Sequence, residues 1–279
     1  MEKKILDLFV FSNLFIAGCA VAMVTQVDSF LLHTTNNSYF SWFVFFSTIC
    51  SYSFHWWLTG EPVHVSPRTR WLEKYRFIHL ILFITGLIGA GIFFFYLVPY
   101  WKWLLLSALM TFLYSAPKIP HPWFRALRKV ALGKTIFLAL VWTLVTTILP
   151  IIISGQPWTR PDILFVISRF FLIYAICILF DYRDREDDKA NGIRSLITYL
   201  GEKNITALFI FSLVIFFTST LWLLKYNYEA TPVIILLIPG IITAALYGYA
   251  RRNFSDYLYY LVLDGLVALS SIIMLLPGI

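Results

Sequence analysis

A dense group of acidic side chains lies between Asp181 and Asp188, directly after an apolar run that ends at Phe180. These positions hold five of the chain's fifteen acidic residues. If the preceding helix continues, Asp181, Asp184 and Asp188 follow one another at i, i+3 and i+7 and form one stripe of carboxylates. Mg²⁺ usually takes one or two protein carboxylates and completes its shell with water and phosphate oxygens. The spacing therefore predicts that these three aspartates hold Mg²⁺ together with a diphosphate.

The same segment has a second interpretation, a solvated acidic helix end in which the interleaved basic residues pair with the carboxylates. The spacing alone leaves both interpretations open. Asp187 lies about 100° around the helix from Asp188, so we expect it to matter much less than Asp188. A Ca²⁺-binding EF-hand is disfavoured, because a loop counted from Asp184 places Lys189 where the EF-hand needs glycine.

The composition is that of a membrane protein. Of the 279 residues, 59% are hydrophobic and 13% are charged, and the mean hydropathy is +0.77. A hydrocarbon core about 30 Å thick needs roughly 20 apolar residues per helix. We predict an all-α, polytopic membrane helical bundle that forms a single integral membrane domain over residues 1–279. About nine transmembrane helices fit the pattern, at residues 5–27, 39–58, 75–95, 97–116, 131–153, 161–181, 204–225, 231–250 and 257–277.

Two further features fit this class of protein. The apolar run from Ile5 is long and lacks a small-residue cleavage site, so we interpret it as a retained first helix and not as a signal peptide. Cys19, Cys50 and Cys177 lie in apolar segments without disulfide or metal-binding spacing, and we expect them to be core residues.

The distribution of positive charge predicts the orientation of the chain. With the N-terminus in the cytoplasm, 18 of the 22 Lys and Arg residues fall in cytoplasmic segments, as the positive-inside rule requires. We therefore expect a multi-pass protein of the inner, cytoplasmic membrane of a bacterial-type cell, with loops 59–74, 117–130 and 182–203 on the cytoplasmic side. The net charge of +7 follows from this topology and does not indicate nucleic-acid binding.

Other candidate site residues lie near the ends of predicted spans. Lys118, close to Tyr114, is placed to neutralise an anion on the same membrane side as the acidic stripe, although cytoplasmic loops are basic for topological reasons alone. His55, Glu61 and His64 could ligate a metal, but their loose spacing is more typical of ordinary interfacial contacts.

Polar residues within the predicted spans need partners that lipid does not supply. Asn13, next to Ser12, should face the bundle interior. Arg169 lies near mid-bilayer, where a charged side chain needs a partner. Asp264 is an acidic residue deep in another predicted span, at a depth that the Arg169 side chain can reach. We predict a structural ion pair between them, with a role in substrate binding as the alternative.

The segment that begins at Asp181 resembles the second aspartate-rich motif of the UbiA superfamily of intramembrane prenyltransferases. The family pattern is an Asp, then D-x-x-x-D, a Gly four residues later, a Thr/Ser-Leu pair and a Leu-Gly, and the chain matches it at Asp181, Asp184, Asp188, Gly192, Ser195, Leu196, Leu200 and Gly201. Tyr114 and Lys118 resemble the family's Tyr-x-x-x-Lys, and Asn13 lies where the family often has Asn. The family architecture has nine helices with both Asp-rich loops in the cytoplasm, so the resemblance covers most of the chain.

The chain departs from the family's first motif, N-D-x-x-D-x-x-x-D ahead of a Pro and an Arg. When the downstream Arg is aligned on Arg68, the motif falls on Ser53, Phe54, Trp57 and Glu61. Only Glu61 and Arg68 keep the family's chemistry. In the family the two motifs hold two Mg²⁺ ions around one diphosphate, so the resemblance implies a divergent member in which one metal site lacks most of its ligands.

The resemblance implies Mg²⁺-dependent transfer of a prenyl group from a prenyl diphosphate to an aromatic or lipid acceptor. The implied catalytic residues are Asp181, Asp184 and Asp188 as metal ligands, with Tyr114 and Lys118. The implied substrate-binding residues are Asn13, Arg68, Lys118 and Glu61.

Two alternatives stay open from the sequence. The eroded first motif favours a non-catalytic membrane protein that kept the fold and binds isoprenoids or partners a biosynthetic complex. A weaker alternative is a transporter, in which Arg169 and Asp264 would lie on the pathway.

Overall fold

A computed structural model of the protein describes residues 2–58, 66–119, 121, 134–190 and 195–276. Over these residues the regular secondary structure is helical, without a β-strand, which confirms the predicted all-α fold. The first six helices are α1 Glu2–Phe11, α2 Leu14–Leu31, α3 Ser38–Trp57, α4 Pro67–Lys74, α5 Arg76–Tyr96 and α6 Trp101–Ser115. The others are α7 Lys134–Ser154, α8 Arg160–Arg183, α9 Arg185–Ala190, α10 Leu196–Tyr199, α11 Glu202–Trp222, α12 Ala230–Ala250 and α13 Leu258–Met274.

Six of the helices in the described ranges are long and apolar enough to cross a membrane. They are α2, α5, α7, α8, α11 with the turn that follows it, and α12. Three more predicted spans correspond to α3, which has 20 residues but carries many Ser and Thr, and to the shorter α6 and α13. The polytopic bundle is therefore confirmed, and the count of nine spans stays a prediction.

The first predicted span, 5–27, is two helices. Asn13 lies between α1 and α2 with a left-handed backbone (φ 69°), a conformation that Asn adopts at lower cost than most residues because its side chain bonds locally. Ser12 and Asn13 are both buried, so the prediction that they face the bundle interior is confirmed. The break between α1 and α2 therefore places the Asn13 side-chain amide inside the bundle.

Helix α8 forms the centre of the bundle, between α7 and α11. Every residue from Leu172 to Leu179 is buried, as expected for a helix that is apolar around its whole circumference. A capping box starts it, in which the Thr159 backbone N–H donates to Asp162 Oδ2 (2.6 Å). The acidic stripe at the other end of α8 is thus carried by a helix whose middle is fully enclosed.

Helices α3 and α5 pack closely because α5 presents glycine at the contact. A Cβ built on Gly86 would lie 2.7 Å from the backbone nitrogen of Cys50 and 2.8 Å from the carbonyl oxygen of Phe46. Small residues allow this approach of two membrane helices, which gains dispersion contacts along their length. The pair fixes the wall of the bundle that carries His55 and Trp56 at the end of α3.

Contacts between connecting segments gather the predicted cytoplasmic loops at one end of the bundle. Three of these contacts are Arg68–Asp256, Lys134–Asp188 and Arg251–Glu202. At the other end the Tyr100 hydroxyl donates to the carbonyl oxygen of Ile153 (2.9 Å). The alternation of helix direction agrees with the charge distribution, and the cytoplasmic location of the basic end stays a prediction.

The predicted ion pair between Arg169 and Asp264 is wrong. Arg169 donates to the side-chain oxygen of Gln26 and to the carbonyl oxygen of Val267 (3.2 Å), and Ser271 donates to the same Gln26 oxygen (2.9 Å). Within the described part of the chain no ion pair joins the two predicted partners. Depth along a helix axis does not determine which face a residue occupies, and Arg169 faces α2 and the far half of α13.

Candidate active site

A cavity of about 1920 Å³ lies between the helices. Its body is lined by apolar and aromatic side chains, among them Phe43, Phe83, Phe94, Trp142, Ile173 and Val267. One end is charged and is built from the break between α1 and α2, the start of α4, the end of α6, the start of α7 and the end of α8. Such a cavity suits a ligand with a long apolar part and an ionic head group.

The three predicted metal ligands lie together at the charged end. Helical hydrogen bonding continues past α8, since the backbone N–H of Asp184 donates to Phe180 (3.0 Å) and that of Asp188 donates to Asp184 (2.8 Å). Asp181, Asp184 and Asp188 all line the cavity. Asp187 lines it as well, because the helix is interrupted at Asp184 and an ideal 100° step no longer describes the next turn. That Asp187 matters less than Asp188 stays a prediction.

Lys134, the first residue of α7, joins two of these aspartates. Its ammonium nitrogen lies 3.1 Å from Asp188 Oδ2 and 3.6 Å from Asp181 Oδ1, and the next residue, Thr135, donates a hydrogen bond to Asp181. From the sequence, Lys134 is one of the 18 positive charges of the predicted cytoplasmic segments, without a further predicted role. The position of Lys134 could have indicated a carboxylate partner. A Lys in the first turn of a helix is destabilised by the helix dipole, and a nearby carboxylate offsets that effect.

The electrostatic environments of the other two predicted ligands differ. Burial alone would raise the pKa of Asp184, but the Arg183 guanidinium, 2.8 Å away, and Lys134 outweigh it and lower that pKa. Burial raises the pKa of Asp188 to about 6, against the opposing effect of Lys134. Within the described residues no group of three or more His, Cys, Asp or Glu is arranged to hold a metal ion, so a Mg²⁺ site on the acidic stripe stays a proposal.

Arg68 also lines the cavity and is held between two aromatic rings. Its guanidinium carbon lies 4.1 Å from the ring centre of Trp56 and 3.7 Å from that of Tyr260. Nη2 donates to Asn13 Oδ1 (3.2 Å), and the backbone N–H donates to Asp256 Oδ2 (2.7 Å). Arg68 is 3% exposed and its Nε has no hydrogen-bond partner among the described residues. The two predicted substrate-binding residues Asn13 and Arg68 are therefore in direct contact.

The positions aligned with the family's first motif carry no carboxylate on α3. Ser53 is buried and accepts a hydrogen bond from Asn13 Nδ2 (3.4 Å), while Phe54 and Trp57 line the cavity. Glu61 and His64 lie outside the described residues, as does Gly192. The α3 side of the charged end thus combines a cation with aromatic rings where the family pattern has aspartates.

Tyr114 and Lys118 lie at the end of α6 and line the cavity. The Tyr114 ring stacks on His55 at 5.3 Å between ring centres, and His55 Nδ1 lies 3.1 Å from Ser115 Oγ. The Lys118 ammonium is 5.4 Å from the Trp56 ring centre. Burial, followed by the neighbouring Lys134 charge, lowers the pKa of Lys118 to about 7. An anion at this point would restore the charged form of Lys118.

Fold and site together define an all-helical, multi-pass membrane protein whose cavity joins an apolar body to an aspartate-rich, cation-flanked end. The chain belongs to the UbiA prenyltransferase family, whose family model matches residues 74–257. The match includes Tyr114, Lys118 and the acidic stripe, but it begins after Arg68 and ends before Asp264. No curated protein and no solved structure matches the chain significantly. Membership of this family supports a prenyltransferase type of function.

Proposed function

We propose that the protein is an intramembrane enzyme that transfers the prenyl group of a prenyl diphosphate to an aromatic or lipid acceptor. One observation carries the proposal: a single cavity joins a long apolar space to an end that is lined both by the acidic stripe and by the cations Arg68, Lys118 and Lys134. An isoprenoid chain fits the first part by its hydrophobicity, and a diphosphate with a divalent cation fits the second by its charge.

The cations of the charged end would bind the diphosphate. Arg68 presents a buried guanidinium whose Nε has no partner among the described residues, and Lys118 and Lys134 line the same end. Charged donors of this kind make short, strong hydrogen bonds to phosphate oxygens. They would also stabilise the negative charge that develops on the leaving diphosphate.

Mg²⁺ is the cofactor that the proposal requires. Asp181 and Asp188 converge on one cation, the Lys134 ammonium, so their carboxylates are already arranged to share one positive charge. This donor set fits Mg²⁺, which takes one or two carboxylates and leaves its other positions to water and phosphate oxygens. Asp184 would be the third ligand. When bound, Mg²⁺ would neutralise diphosphate charge and so promote its departure.

Aromatic side chains would stabilise the allylic cation that forms as diphosphate leaves. Tyr114 lines the cavity at the charged end, where it is held against His55. The negative face of an aromatic ring attracts a cation without trapping it as a nucleophile would. The proposal includes access of the diphosphate from the cytoplasm, since the charged end coincides with the basic loops of a protein whose N-terminus we place there.

A non-catalytic isoprenoid-binding protein is the second candidate, and a specific observation favours it. Lys134 already occupies the space between Asp181 and Asp188, and α3 has Phe54 and Trp57 at two positions where the family pattern has aspartates. A protein of this kind would bind a prenyl diphosphate through Arg68 without breaking its carbon–oxygen bond.

The two candidates are separated by pyrophosphate release. Purified protein would be incubated with radiolabelled geranylgeranyl diphosphate and a long-chain phenol as acceptor, with and without Mg²⁺, and both binding and released pyrophosphate would be measured. The enzyme predicts Mg²⁺-dependent release that Asp184→Asn abolishes. Glu186→Gln is the matched control, because Glu186 is exposed and pairs with Lys189 (2.8 Å). Binding without release would reject the enzyme and support the non-catalytic candidate.

A further inference from the structure

Asp264 is a carboxylate in the wall of the cavity that the proposed chemistry does not yet use. It lies on α13 and lines the cavity. Its predicted partner, Arg169, is bound elsewhere. Within the described ranges the Asp264 side chain has no hydrogen bond and no ion pair. A polar group in an apolar setting without a partner calls for an explanation, of which a bound molecule is one.

The surroundings of Asp264 indicate what it lacks. Two arginines of the charged end are engaged by other groups, since Arg68 donates to Asn13 and Arg183 donates to Asp184 and Tyr260. A short-range hydrogen-bond donor is missing. Tyr52 lies on α3 and also lines the cavity. It is one turn before Trp56, whose ring contacts the Tyr260 ring at 6.0 Å between centres, and Tyr260 is one turn before Asp264. Tyr52 Oη accepts a hydrogen bond from Trp142 Nε1 (3.2 Å), which leaves its own hydrogen available to donate.

Asp264 and Tyr52 therefore offer complementary groups. A carboxylate accepts hydrogen bonds, and a phenol whose oxygen is already engaged donates one. A hydroxyl group both donates and accepts, so it matches the pair, whereas a hydrocarbon or an ether leaves the carboxylate without a donor. The half-buried polar pair in the cavity wall would then discriminate strongly between ligands with and without a hydroxyl.

The position of Asp264 along α13 relates it to the charged end. Tyr260, four residues earlier, is the ring on which Arg68 stacks, and Val267, three residues later, lines the apolar body. Residues spaced by three or four lie on the same face of a helix. The turn just before Asp264, Leu258–Leu263, is a π-helix, a local widening that is frequent at functional sites. Asp264 thus lies about one turn below the place where a diphosphate would bind.

We propose that Asp264 and Tyr52 form the acceptor subsite, that they bind the hydroxyl group of the acceptor, and that Asp264 takes its proton. This inference rests on the proposed transfer reaction. In the step, the bond from the first carbon of the prenyl group to the diphosphate oxygen breaks, and the acceptor oxygen bonds to the allylic cation that results. The bonding electron pair leaves with the diphosphate, and the proton of the acceptor passes to the Asp264 carboxylate.

A pair of probes tests the binding part of the inference without any turnover. 4-Nonylphenol and its methyl ether have the same apolar tail and differ in the hydroxyl hydrogen. Their affinities for the full-length protein in detergent would be measured by quenching of Trp fluorescence. We expect wild type to prefer the phenol by about 10- to 100-fold, the range of a hydrogen bond to a charged group. Equal affinity of wild type for the two probes would overturn the inference.

Variants then test which residues cause the preference for the phenol over its methyl ether. Asp264→Asn and Tyr52→Phe should each reduce the ratio of the two affinities to less than about threefold while binding of the ether is retained, since neither change alters the apolar body. Asp28→Asn is the matched control, because Asp28 is a buried carboxyl on α2 that does not line the cavity. Retention of the full preference by Asp264→Asn would place the hydroxyl elsewhere and reject the subsite.

A transfer assay separates this inference from the proposed function. With Mg²⁺, labelled geranylgeranyl diphosphate and the phenol, Asp264→Asn should bind the diphosphate within about threefold of wild type but transfer the prenyl group about 10²- to 10⁴-fold more slowly, the usual contribution of a general base. Transfer at the wild-type rate by Asp264→Asn would overturn its role in proton removal. Absence of pyrophosphate release from wild type, with the phenol preference intact, would reject the transferase and its proton step and leave the hydroxyl subsite standing.

Discussion

The Lys134 ammonium lies 3.1 Å from the Asp188 carboxylate, so a cation of the protein occupies the acidic stripe where Mg²⁺ is proposed to bind. The same ammonium reaches Asp181 at 3.6 Å. Asp181 and Asp188 are two turns apart, and their like charges, both close to this ammonium, repel each other, so a cation between them relieves that repulsion. Lys134 thus stabilises the stripe in the absence of Mg²⁺ and competes with Mg²⁺ for it.

Removal of the Lys134 ammonium should show whether it competes with Mg²⁺ for the acidic stripe. Lys134→Met keeps a long apolar side chain but leaves Asp181 and Asp188 without their shared charge. We expect the variant to unfold at a lower temperature than wild type without divalent ions, and Mg²⁺ alone to raise its unfolding temperature more than that of wild type, because ligand binding stabilises the folded state by mass action. Thermal unfolding in detergent at several Mg²⁺ concentrations measures both effects.

A matched comparison is Lys189→Met. Lys189 pairs with Glu186 at the exposed face of α9, so its loss should leave the response to Mg²⁺ unchanged. If Lys134→Met and wild type respond equally to Mg²⁺, the ammonium does not compete with a metal at the stripe.

Orientation gives a second prediction. A cysteine at Ser66, at the start of α4, or at the exposed Glu186 should be inaccessible to an impermeant thiol reagent added to the periplasmic side of intact cells, because both lie at the basic end of the bundle. Glu229→Cys, exposed at the opposite end, should be labelled. Labelling at positions 66 and 186 together with protection at position 229 would show that the chain has the opposite orientation.

The helices were the most predictable part of the structure. A run of apolar residues long enough to cross a membrane has few alternatives to a helix. Lipid offers no hydrogen-bond partners to the backbone N–H and C=O groups, so the segment must pair them internally. The sequence shows Asn13 as a polar residue within an apolar run but does not predict that the helix breaks there. The break depends on the left-handed backbone conformation of Asn13, which the sequence does not determine. The acidic stripe was predictable because its members are close in the sequence.

Contacts between distant helices were less predictable. Lys134 and Asp188 are 54 residues apart, and Arg169 and Gln26 are 143 apart. Depth in the membrane can be estimated from sequence, but the face of a helix that meets a particular neighbour depends on the packing of the whole bundle. The expected pair of Arg169 with Asp264 failed for this reason, and Tyr260 as one ring over Arg68 was not found.

The contact of Arg169 with Gln26 gives a third prediction. Gln26→Leu should destabilise the protein by about 1–3 kcal/mol, because a buried guanidinium loses an acceptor. Arg169→Met with Gln26→Leu should be less destabilised than the sum of the single changes. The free energy of unfolding of the two single variants and the double variant gives the coupling energy directly.

The control cycle pairs Arg169→Met with Asp264→Asn. Since these side chains do not contact each other, their effects should add to within about 0.5 kcal/mol. A coupling between Arg169 and Asp264 as large as that between Arg169 and Gln26 would restore the ion pair that the structure contradicts.

The last prediction concerns thermodynamic linkage between Mg²⁺ and the prenyl diphosphate. Two or three carboxylates leave most of an octahedral Mg²⁺ shell to water, and Lys134 already offsets part of their charge. Neither ligand should therefore bind tightly alone. Each should strengthen the other by the same factor, because coupling between two binding equilibria is reciprocal, with a typical size of about 1–3 kcal/mol.

Charge removal at the stripe should abolish this coupling and spare the fold. Asp184→Asn and Asp188→Asn keep the shape of the side chain. Glu186→Gln is the control in place of Asp187, which lines the cavity itself. The unfolding temperature would be measured with Mg²⁺, geranylgeranyl diphosphate or both. Wild type and Glu186→Gln should gain more from the pair than from the two ligands added separately, and the stripe variants should not. If Asp184→Asn and Asp188→Asn gain as much as wild type, the segment is a solvated acidic helix end and the proposed metal ligands are wrong.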